Sequence, residues 1–185
     1  VVQVNGSGKP TRSEVIGLTV RKGSLSGLDF EGDGRIAYVV AEDNIAAGFD
    51  VGGGTIEMAD CVARRNAHGF VEAGGSITIL RTQAYDNTGV GFSFHVGTDL
   101  LIDSLSARNG TGVIFNSYSG SVVNCTLVGN TGTAVDTTKT VPAYTPVTIW
   151  NSVIWGNGRS VNLGPADLSM VLDYNCIQGG LAGIT

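Results

Sequence analysis

The sequence predicts an all-β solenoid: a single domain of about seven to eight rungs, each made of three short parallel strands. Three observations carry that expectation. Asn44, Asn66, Asn87, Asn109 and Asn130 follow one another at intervals of 22, 21, 22 and 21 residues, and Asn157 continues the series after 27. Three or four places beyond each asparagine a small residue precedes an apolar one: Gly48-Phe49, Gly69-Phe70, Gly91-Phe92, Gly112-Val113, Thr133-Ala134 and Ser160-Val161, with Gly27-Leu28 in the same column. No segment shows helical periodicity, so helix-containing repeat architectures fit badly.

Each element of the rung has its own signature. The first strand starts at the small-apolar pair and points phenylalanines inward. A glycine-rich turn and an apolar residue then open the second strand, as in GDGRI, GGGTI, AGGSI and YSGSV. The third strand precedes the asparagine. Five places before it stand Val39, Cys61, Thr82, Ser104, Cys125 and Ser152, and three places before it Ala41, Ala63, Ala84, Ser106, Leu127 and Ile154, residues suited to an interior. If one turn of chain advances by a strand spacing of about 4.8 Å, residues some twenty-one places apart stack. An inward asparagine at the turn can then hydrogen-bond backbone groups of the next rung, forming a ladder.

Composition narrows the function. A net charge of −5 over 185 residues argues against unaided nucleic-acid binding and repels anionic polysaccharides unless a cation bridges them. No apolar run reaches the length of a membrane span, so direct membrane insertion is not expected, and the first residues lack the layout of a signal peptide. Three cysteines, spaced by 64 and 51 residues, make neither a disulfide framework nor a zinc pattern. Cys61 and Cys125 fall in one inward column three rungs apart, roughly 14 Å, too far for a disulfide. VVQVNG aligns with FDVGG of a later repeat and LAGIT follows a ladder turn, so the domain spanning 1–185 is expected to begin and end inside a rung. Open solenoid ends expose unpaired backbone, and the expected partners are flanking domains or further copies stacked end to end.

The asparagine column and the Gly-Phe strands resemble the right-handed parallel β-helix of the pectate-lyase-like superfamily, over nearly the whole chain. The segments NSVIWGNGRSVNL (151–163) and VLDYNCIQGG (171–180) look like the closing rungs of bacterial secreted or surface-anchored β-helix repeat proteins. The right hand of the coil follows from this resemblance and from the rule for parallel connections. The resemblance implies a secreted or cell-surface location, with signal and anchor outside this sequence.

The register sorts the polar residues. In CVARRNAHGFVEAGG (61–75), Asn66 belongs to the ladder, Arg64 and Arg65 to the surface, and His68 to an exposed turn. Asp60, Arg81 and Asp103 alternate in sign along one outward column, as charge pairing between rungs would produce. The functional candidates lie after the asparagine turn, where Asp29, Glu31, Asp50, Glu72 and His95 are assigned to one outward wall. Carboxylates one rung apart repel unless a cation or a shared proton intervenes. No cofactor is required, but calcium would suit Asp29 and Asp50. Tyr118, Tyr144, Trp150 and Trp155 are candidates for packing against sugar rings, although the insertion DTTKTVPAYTP would equally well cover Trp155, Val128 and Leu105.

The resemblance implies polysaccharide lyases, hydrolases or epimerases, yet their residue sets do not carry over. Asp29 and Asp50 lack a third aspartate and a nearby arginine, and His68 follows Ala67 where a hydrolase motif would have glycine. The first expectation is therefore an extracellular or cell-surface structural or adhesive module that can self-associate end to end, with the balance leaning away from an enzyme but leaving a polysaccharide lyase or glycoside hydrolase open. The alternative is a polysaccharide-binding or polysaccharide-cleaving domain.

Overall fold

The computed structural model describes residues 1–5, 12–116, 119–137, 146–163 and 170–180. The described residues form three eight-stranded sheets, all parallel, in which each strand pairs with the strands three before and three after it. The chain visits sheet 1, sheet 2 and sheet 3 in turn and climbs one rung per circuit, winding a right-handed solenoid of about seven turns. One rung comprises Ala47–Gly52, Gly54–Ala59 and Val62–Arg64, and the next His68–Glu72, Gly75–Leu80 and Gln83–Tyr85. Among the described residues no helix is long and apolar enough to cross a membrane.

The register agrees with the sequence columns. Phe49, Phe70 and Phe92 are successive Cα partners, as are Ala41, Ala63, Ala84, Ser106, Leu127 and Ile154. Val2 pairs with Leu28, and Leu28 with Phe49, which places VQVN on FDVG as expected. The rings of Phe49 and Phe70 stack at 4.6 Å, those of Phe70 and Phe92 at 5.0 Å, and those of Phe94 and Phe115 at 5.0 Å. These side chains are buried. Each removes about 2–3 kcal/mol worth of apolar surface from water, and the offset stacking adds to that.

Two corners of the rung are turned by single residues in the left-handed region. Between sheets 2 and 3 these are Gly17 at 71° and then Tyr38, Asp60, Arg81, Asp103, Asn124, Asn151 and Tyr174, with φ between 45° and 56°. Between sheets 3 and 1 they are Lys22, Asp43, Arg65, Asp86 and Arg108, and then Gly129 and Gly156. Such a residue reverses the chain in one step and turns its side chain outward. Backbone bonds between rungs hold it there, as in Arg81 N–H to Ile102 O at 3.1 Å. Charges at these corners pair from rung to rung. Arg81 is bidentate to Asp60 at 2.8 Å, Arg65 bonds both oxygens of Asp43 at 2.7 and 3.0 Å, and Arg108 does the same to Asp86. Arg64 and Arg65 converge on Glu42, and Arg64 also donates to the Tyr85 hydroxyl at 2.9 Å. The arginines of the quoted 61–75 stretch are thus part of the scaffold.

The asparagine ladder is continuous from Asn44 to Asn157. Asn87 shows the pattern. Its Oδ1 accepts from the backbone N–H of Asn66 at 3.0 Å and from Asn66 Nδ2 at 3.2 Å, while its own Nδ2 donates to Ala63 O and to Asn109 Oδ1. A second polar column runs up the opposite corner. Thr82, Ser104 and Ser152 hydroxyls accept backbone N–H groups from the rung below and donate to the carbonyl two residues earlier. Cys61 and Cys125 occupy the same column and are buried. Burial pushes both thiols up to about 11.

Candidate functional site on the outer face of sheet 1

Strand alternation on sheet 1 puts one residue per rung in line on the outside: Gln3, Asp29, Asp50, Val71, Ser93, Ile114, Asp136 and Asn162 are successive Cα partners. The column is acidic near both ends and apolar or hydroxylic in the middle. Two residues beyond Asp29, Glu31 adds a third carboxylate opposite Gly52. Because Gly52 and Gly53 have no side chains, a depression of about 320 Å³ opens there, bordered by Asp29, Glu31, Asp50 and Val51.

The electrostatics centre on Asp50. Asp29 Oδ2 accepts a bond from Gln3 Nε2 at 3.0 Å, while Asp50 takes a side-chain hydrogen bond from Ser26. The Asp50 carboxyl lies above the ordinary aspartate value, first because it is partly buried and second because Asp29, and then Glu31, repel its charge. His95 acts in the opposite sense on Asp50, so it lies within electrostatic reach. The ring Nε2 of His95 is 3.0 Å from Ser93 Oγ. A carboxyl in this setting, with the Ser26 hydroxyl on it and an imidazole within electrostatic reach, can hydrogen-bond the hydroxyls of a ligand.

Of the expected wall, Asp29, Glu31, Asp50 and His95 share this face, and Glu72 does not. Glu72 is Cα partner to Val51, so it points inward and is 2% exposed. There its Oε2 accepts the backbone N–H groups of His95 at 2.6 Å and Val96 at 3.0 Å, fixing the corner that carries His95. Two donors left by the turn supply a reason for a carboxylate to face the core. Ser26 and Ser93, which contact Asp50 and His95, carry no mark in the sequence: Ser26 sits in the turn before the strand Leu28–Glu31, and Ser93 fits the pattern of its strand.

The aromatic candidates lie elsewhere. Trp150 ends a strand of sheet 2, Trp155 ends one of sheet 3, and both are about half exposed. Tyr118 and Tyr144 lie outside the described residues, as does most of the insertion expected to cover Trp155. Among the described residues no three His, Cys, Asp or Glu side chains are grouped to hold a metal. The expected calcium ligands Asp29 and Asp50 border the same depression as Glu31.

The description "Right handed beta helix region" matches residues 1–163. The chain belongs to that family. Two solved structures resemble this right-handed β-helix: a point mutant of the periplasmic alginate epimerase AlgG, with TM-score 0.61 and 16% identity, and AlgG itself, with TM-score 0.55 and 18% identity. The first covers 90% of this chain and 45% of AlgG, the second 86% and 43%, so the β-helix here spans under half the length of those chains. At such identities the likeness shows the fold. No curated protein matches the sequence.

Proposed function

We propose that this β-helix is a polysaccharide-handling domain of the cell envelope or exterior, with a glycan chain lying along the outer face of sheet 1. The observation that carries the reading is the grouping of Asp29, Glu31 and Asp50 around a depression on that face, with His95 within electrostatic reach of Asp50. The likeness to a periplasmic alginate epimerase supports both the ligand class and the location. Clustered carboxylates favour a neutral, hydroxyl-rich glycan, whose hydroxyls donate to them. An anionic glycan would be repelled without a bridging cation such as calcium.

Incubation of the chain with neutral and uronic polysaccharides, with and without calcium, tests this. The expected result is retention of a neutral glycan without calcium, and any new reducing ends or unsaturated products would add catalysis. If no glycan is retained under either condition, the reading fails. The adhesive or spacer role, with self-association through the solenoid ends, then becomes the better account, and light scattering over a range of concentrations would test it.

A further inference from the structure

A second cavity lies at the corner between sheets 2 and 3, near the last described rungs. It measures about 420 Å³ and is lined by Val123, Asn124, Trp150, Asn151 and Tyr174. That falls toward the lower end of small-molecule sites, roughly 300–1,000 Å³. Trp150 is 47% exposed and Tyr174 76% exposed. The exposure of Tyr174 is a property of its corner position, since Tyr38, in the same column near the other end of the solenoid, is 59% exposed.

The chemistry of this corner changes along the column. Lower rungs carry Asp60 and Arg81, which neutralise each other. Above them Asp103 Oδ1 accepts from Asn124 Nδ2 at 3.0 Å, and Asn124 Oδ1 accepts from Asn151 Nδ2 at 2.8 Å. The amides are thereby oriented in a chain that presents Asn151 Oδ1, without a described partner, next to two aromatic rings. Asp173, the Cα partner of Trp150 on the next rung, is exposed on the same face.

We infer that Trp150, Tyr174, Asn124 and Asn151 form a sugar-ring site separate from sheet 1, which takes a neutral pyranose stacked on the Trp150 indole. An exposed indole offers a flat apolar face to the C–H side of a pyranose, and the oriented Asn151 amide oxygen accepts a sugar hydroxyl. This site stands on its own observations and does not depend on the sheet 1 reading.

Trp150 and Trp155 are the two tryptophans of the chain, so Trp155→Phe leaves Trp150 as the sole indole reporter. This variant, titrated with cellohexaose, mannohexaose and xylohexaose, should show a saturable change in emission with at least one of them. Tyr174→Asn, which places at this left-handed corner the residue already used at Asn124 and Asn151, should weaken binding by about tenfold. In calorimetry on the otherwise unaltered chain, Trp150→Ala should abolish binding at this site. Asp29→Asn with Asp50→Asn should leave the emission change intact, which separates this site from sheet 1. Absence of saturation with all three sugars overturns the inference, as does saturation unaffected by Tyr174→Asn and Trp150→Ala. An emission change that follows protein concentration alone would assign the corner to a second copy of the chain and equally overturn it.

Discussion

Asn66 Oδ1 accepts two hydrogen bonds from Asn44, one from its backbone N–H and one from its side-chain Nδ2, both at 2.9 Å. The same two-pronged contact repeats up to Asn157, which accepts from Asn130 at 2.9 Å twice. Each asparagine thus satisfies backbone groups that the corner would otherwise bury without partners, and it locks the register of one rung onto the next.

Replacing Asn87 by alanine removes the acceptor of the Asn66 backbone N–H and the donor to Ala63 O in a buried setting. Stranding two or more buried groups costs about 1–3 kcal/mol each, so Asn87→Ala should lose about 3 kcal/mol or more in urea unfolding. A loss below about 1 kcal/mol would show that the ladder is ornamental.

The Asp50 carboxyl is raised above 3.8, the ordinary aspartate value, by burial and by Asp29. In the interval between that value and the folded one, the native chain holds more protons than the unfolded chain, so this group's contribution to stability falls as pH rises. Asp50→Asn should therefore have a higher melting midpoint than the parent at neutral pH, with the gap closing below the ordinary aspartate range. Glu42, Asp43, Asp60 and Asp86 behave oppositely. Hydrogen bonds from Arg64, Arg65, Arg81 and Arg108 respectively lower their values, and the resulting stability is lost as pH falls through the folded values. Midpoints measured across acid and neutral pH check both signs, and a neutral-pH midpoint for Asp50→Asn below that of the parent would contradict the first.

Cys61 and Cys125 are buried with thiols pushed up to about 11, while Cys176 is exposed. A thiol reagent at neutral pH should titrate one cysteine in the native chain and three in denaturant. Rapid native reaction of all three would place the Cys61 column on the wrong face.

The ladder and the rung spacing were legible because a stacked coil repeats its demands: every rung needs an inward amide at the same corner, and Asn44 to Asn130 recur at 21 or 22 residues. The alternating charges of Asp60 and Arg81 were legible for the same reason, and they pair. Glu72 was misread because a carboxylate is expected to face water. The Phe49–Phe70 column already places it opposite the inward Val51, but its partners are backbone N–H groups that carry no sequence mark. Trp150 and Trp155 occupy different sheets from each other and from Asp50, so they do not extend its face. The contact of Ser26 with Asp50 joins residues that neither periodicity nor spacing connects.

The most direct test of the polysaccharide reading is a calorimetric titration comparing the parent chain with Asp29→Asn and Asp50→Asn combined, using the neutral glycan that the parent retains and a Trp150→Ala background to silence the second corner. Loss of two hydrogen bonds from ligand hydroxyls to charged acceptors should weaken binding by about a hundredfold, with the fold intact by thermal unfolding. Equal affinity in the two proteins would contradict a glycan on the outer face of sheet 1.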